Sequence, residues 1–76
     1  MSGKERRELE RKIEALVIAI PRETEAYEFY MELSREYDDA ASKEMFVFLA
    51  NQEELHRQKL EKLLARLEEQ LIRMPK

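Results

Sequence analysis

Apolar residues recur in alternating steps of four and three along two stretches of this 76-residue chain. The first row reads Leu9, Ile13, Leu16, Ile20, Glu23, Tyr27, Tyr30, Ser34 and Tyr37. The second reads Phe46, Leu49, Glu53, His56, Leu60, Leu63 and Leu67, with Leu71 one step further. Such spacing draws one stripe down an α-helix, and a stripe sustained this long commits the chain to packed helices. Composition agrees, because Glu, Lys, Arg, Leu and Ala dominate while Gly occurs once and Pro twice.

One place reads as a break. Asp38 and Asp39 stand side by side after Tyr37, and Asp favours helix N-caps over helix interiors. Either could cap a second helix, whose positive N-terminal end suits a carboxylate. The sequence therefore predicts an all-α hairpin: a helix over about 4–36, a turn over about 37–41 and a helix over about 40–73, with Pro75 as the stop. The short connection makes the two helices antiparallel within a single domain spanning 1–76. Pro21 removes one backbone N–H from the first helix. It either kinks a continuous helix or begins a new one, and Ile20 before it, a poor N-cap, favours the kink.

Several function classes fall away. Without cysteine there is no disulfide framework, no thiolate metal site and no cysteine nucleophile. A net charge of −3, from 14 basic and 17 acidic residues, argues against a nucleic-acid partner. The longest apolar runs are Ala15 to Ile20 and Met45 to Ala50. These are far short of the roughly 20 residues that cross a bilayer, so no membrane partner is expected. No secretory leader is visible at the charged N-terminus, so a cytoplasmic location is expected.

The middle of each stripe is polar, and this is the informative irregularity. Glu23 lies 16 residues before Asp39, while Glu53 and His56 lie 14 and 17 residues after it. Folding at Asp39 brings all three to one level. Burying a lone carboxylate is costly, so three ionisable groups in an apolar layer call for a shared cation. Carboxylate oxygens with an imidazole nitrogen suit iron, manganese or zinc, and three protein donors leave open coordination positions. Other glutamates differ. Glu25, Glu28 and Glu54 lie off the stripe, as a solvated face requires, although Glu54 neighbours Glu53. One hairpin would leave its stripe facing water, but two would bury each other as a four-helix bundle. The layer would then hold four Glu and two His, the ligand set of dinuclear carboxylate bundles. Further apolar residues off the stripe, among them Val17, Ile18, Val47 and Phe48, predict a homodimer at minimum and leave room for a larger homo-oligomer.

The segment Glu23-Thr-Glu-Ala-Tyr-Glu-Phe-Tyr30 resembles the first-helix motif of rubrerythrin-like proteins in the ferritin-like superfamily. Ala50-Asn-Gln-Glu53-Glu-Leu-His56 is similar to their second-helix Glu-x-x-His. The likeness spans roughly residues 13–67. With two helices rather than four, the chain looks more like the short encapsulated-ferritin type, in which two subunits build one di-iron site. The resemblance implies Glu23, Glu53 and His56 as ligands to two irons per dimer. It implies Tyr30 as an aromatic supporting a ligand carboxylate, and oxidation of Fe(II) by dioxygen or peroxide. Two departures qualify it. Lacking cysteine, the chain has no rubredoxin-type iron, so an electron donor would be a separate protein. The ending Arg73-Met-Pro-Lys76 does not read as a shell-targeting tail, so a shell partner has no support here. Two other readings use the same residues: a helical oligomerisation module whose polar layer only fixes register, and metal storage without redox turnover.

Overall fold

The computed structural model describes residues 2–75; Met1 and Lys76, within the expected 1–76 domain, lie outside the described residues. Helix α1 runs Ser2–Glu36 and helix α2 runs Ala40–Arg73. They form an antiparallel hairpin 58 Å long and about 14 Å across. The expected boundaries hold to within two residues. Helix α1 passes through Pro21 without a break, so Pro21 does not start a separate helix. No described helix is long and apolar enough to cross a membrane.

The turn is specified by side chains. Asp39 is the N-cap of α2, with extended backbone angles, and its carboxylate accepts a hydrogen bond from Ser42 N at 2.9 Å. That bond holds the Asp39 carboxyl below its ordinary range. Lys43 Nζ donates to the Ser34 carbonyl at 3.1 Å, tying the last turn of α1 to the first turn of α2. Tyr37 stacks on Phe46 with ring centroids 5.3 Å apart. The stripe had placed Tyr37 inside, but it lies beyond the end of α1 and is exposed.

The row of α2 that faces α1 differs from the one counted in the sequence. It follows Phe46, Ala50, Glu53, Arg57, Leu60, Leu64 and Leu67, and Ala50 is fully buried at 0% exposure. Leu63, counted as inward, is 43% exposed. The reason is geometric. Helix α2 is apolar on two adjacent faces, and a count in threes and fours can step from one to the other. Ala50 wins the inner position because a methyl side chain lets the helices approach closely. Among the described residues, only Leu9, Ala50 and Leu67 are buried apolar residues, a thin core for a chain of this size. A larger side chain at the closest approach would pry the helices apart. Ala50→Leu should therefore destabilise the hairpin by about 1–3 kcal/mol, measurable by chemical denaturation of the purified protein.

Candidate metal centre

Each functional side chain is placed by helix geometry. Glu23 projects from the middle of α1, two residues after Pro21. Glu53 and His56 are three residues apart on α2, and so lie on neighbouring positions of one face. Because the hairpin pairs positions equidistant from its turn, Glu23 faces them. One donor atom from each of the three residues lies within 4.8 Å of the others. This is the convergence expected from the sequence.

Their surroundings are not uniform. The Glu23 side chain is 23% exposed, whereas that of His56 is 51% exposed. His56 therefore sits on the shoulder of the hairpin, at the rim of the group and not within its core. Glu23 Oε2 is buried and has no hydrogen-bond partner. His56 Nδ1 stands 3.6 Å from it, a distance for electrostatic attraction and not for a hydrogen bond. A buried carboxylate oxygen left without a partner costs free energy. Glu53 is held above its ordinary value chiefly because its protonated form can hydrogen-bond Glu23, then by burial and by the Glu23 charge; His56 opposes these effects. Glu23 thus disfavours ionisation of Glu53, and a proton or a cation between them would relieve the conflict.

The adjacent cation does not do so. Arg57, next along the inner face, hydrogen-bonds Glu54 and also pairs with Glu61. The hydrogen bond to Arg57 holds the Glu54 carboxyl below its usual range. Glu54 is therefore engaged in a peripheral ion pair, as its off-stripe position suggested, and is not a fourth donor in this hairpin. Sequence counting had missed Arg57 on the inner face. The signal was available in the row Ala50, Glu53, Arg57, Leu60 and Leu64, which keeps the helical period. Tyr30 is half-buried with its ring 5.5 Å from that of Phe29. Among the described residues, no hydrogen bond joins its hydroxyl to Glu23 or Glu53.

Two carboxylates and an imidazole, converging around an unsatisfied buried oxygen, fit a transition metal such as iron. An antiparallel hairpin that brings a helical Glu to a Glu-x-x-His defines a ferritin-like carboxylate–histidine protein. The chain belongs to the rubrerythrin family, whose model matches residues 14–76. No curated protein and no solved structure matches the chain significantly.

The raised Glu53 carboxyl has a consequence for metal-free protein. Between the ordinary Glu value and the higher folded value, the folded chain keeps a proton that the unfolded chain has released. Stability contributed by this group therefore falls as pH rises through that window. Glu53→Gln should flatten this dependence and raise the melting temperature near neutral pH. Thermal unfolding of metal-free protein across pH 4.5–7.5, an interval of about three units around the Glu range, measures both effects. Identical pH slopes for the two proteins would rule the account out.

Proposed function

We propose that two hairpins close around a di-iron centre that oxidises Fe(II) with dioxygen or peroxide. The convergence of Glu23, Glu53 and His56 within 4.8 Å supports this reading most strongly. Membership of the rubrerythrin family supports it independently. A second hairpin contributes the same three residues, so the complete layer holds four carboxylates and two imidazoles. Iron bound there would supply one-electron chemistry, each pair of Fe(II) ions reducing dioxygen to hydrogen peroxide or hydrogen peroxide to water.

The chain's own groups explain why this layer suits that task. Glu23 and Glu53 present anionic oxygens, which stabilise a trivalent cation more than a divalent one and so favour oxidation. Binding a cation displaces the proton that Glu53 retains, so affinity rises with pH over the same window in which the empty site loses stability. His56 supplies an imidazole nitrogen donor on the flank that a second hairpin would cover. Tyr30, seven residues after Glu23 and hence on the same face, is the positioning group that would orient a ligand carboxylate once the layer is closed. An electron donor, where peroxide is the oxidant, is a separate protein.

Aerobic addition of Fe(II) to the purified protein should produce Fe(III) absorbance faster than buffer does. His56→Ala should weaken metal binding by at least about tenfold, read by metal analysis after dialysis. Wild-type protein that binds iron, manganese or zinc yet leaves Fe(II) oxidation at the buffer rate would favour storage. Protein that binds no metal, with His56→Ala unchanged in metal content and stability, would favour a register layer.

A further inference from the structure

Arg57 stands where it could close the proposed metal centre. It follows Glu53 by four residues on the inner row of α2. On a helix, a glutamate followed at that spacing by a basic residue ordinarily forms an ion pair. The Arg57 side chain is only 25% exposed, so its guanidinium needs a partner. Pairing with Glu53 would meet that need. It would also fix a positive charge where a metal ion has to bind.

That pair does not form. Arg57 Nε donates to Glu54 Oε1 at 3.2 Å, and Nη2 donates to the other oxygen of the same carboxylate. Nη1 donates to Glu61 Oε1. All three guanidinium nitrogens are committed, two of them in the fork that fits a carboxylate best. Gln58 Nε2 donates to Glu54 Oε2 at 3.3 Å and steadies the acceptor. Among the described residues, no hydrogen bond runs from Arg57 to Glu53. The direction of pull matters as well. At 3.6 residues per turn, Glu54 and Glu61 lie roughly 80–100° around α2 from Glu53, whereas His56 lies about 60° the other way. Arg57 is therefore drawn toward the flank opposite His56, away from the three converging donors.

We infer that Glu54 and Glu61 are positioning residues of the centre: they hold Arg57 aside and so leave Glu53 open to a cation. Both act through Arg57 and not as ligands. Their role presupposes metal binding by Glu23, Glu53 and His56, and so rests on the reading proposed above.

Titration of the full chain with Co(II) alone, without oxidant, reads the effect. Glu54→Gln/Glu61→Gln frees the guanidinium to pair with Glu53 and should weaken Co(II) binding by about tenfold. Adding Arg57→Met to that double variant should restore the affinity to within about twofold of wild type, because the competitor is gone. Glu28→Gln/Glu32→Gln removes two carboxylates from the exposed face of α1 and controls for charge alone. It should change the affinity by less than about threefold. Glu54→Gln by itself leaves Glu61 to pair with Arg57, so it disturbs folding least; it should lose about threefold and be restored by the same Arg57→Met. A crystal structure of the metal-free double variant should show the guanidinium on Glu53. A loss that Arg57→Met does not reverse, or a metal-free double variant with Arg57 still turned from Glu53, would overturn the positioning role and leave the centre standing. Wild-type protein that binds no Co(II) would overturn the centre itself, and the positioning role with it.

Discussion

Two carboxylates aimed at each other across a narrow hairpin, with no committed cation between them, set the terms for the rest of this protein. Glu23 Oε2 is buried and unpartnered, and Glu53 resists ionisation beside it. The guanidinium of Arg57, on the same inner row as Glu53, is engaged by Glu54 and Glu61. A fold built for stability alone would place apolar side chains at this level. Retaining the charges costs stability in the empty protein, because desolvated like charges oppose each other. The arrangement makes physical sense when a cation occupies it, and the same interactions that destabilise the empty layer then become the binding energy.

The hairpin is also incomplete as a hydrophobic object. Among the described residues, three buried apolar side chains form a thin core, while Phe29, Met45, Phe48, Leu55 and Leu63 remain exposed. Two adjacent faces of α2 are apolar. One is satisfied by α1, and the other carries His56 outward. That combination links assembly to chemistry in the proposed dimer. Covering the second face removes apolar surface from water and, at the same level, supplies the missing donors. Small chains without disulfides commonly depend on a metal or on oligomerisation for stability, and here one surface would serve both.

The balance of forces at the turn differs from that in the middle. At the turn the structure depends on local, directional bonds: the Asp39 cap, the Lys43 bridge to Ser34 and the Tyr37–Phe46 stack. Toward the open ends it depends on spaced leucines and on surface ion pairs such as Arg73–Glu69. The layer of Glu23, Glu53 and His56 lies between these regimes and is held from both sides by α1 and α2. Its donors sit on helices and not on loops, so their separation is fixed by backbone register.

Much of this was legible from residue order. The periodic stripe, the paired aspartates and the scarcity of Gly and Pro determined two long helices and one short turn, because these are local properties of the chain. The similar distances of Glu23, Glu53 and His56 from that turn determined their level, because rise per residue is constant in a helix. What the sequence left undecided was rotation about the helix axis. A spacing of three or four residues is shared by neighbouring faces, and only packing against α1 selected Ala50, Glu53, Arg57 and Leu64 as the inner row while turning His56 and Leu63 to the shoulder. The pairing of Arg57 with Glu54 and Glu61, and the unsatisfied oxygen of Glu23, followed from that same rotation. Level along a helix is arithmetic, but azimuth is settled by which side chains fit where two helices touch.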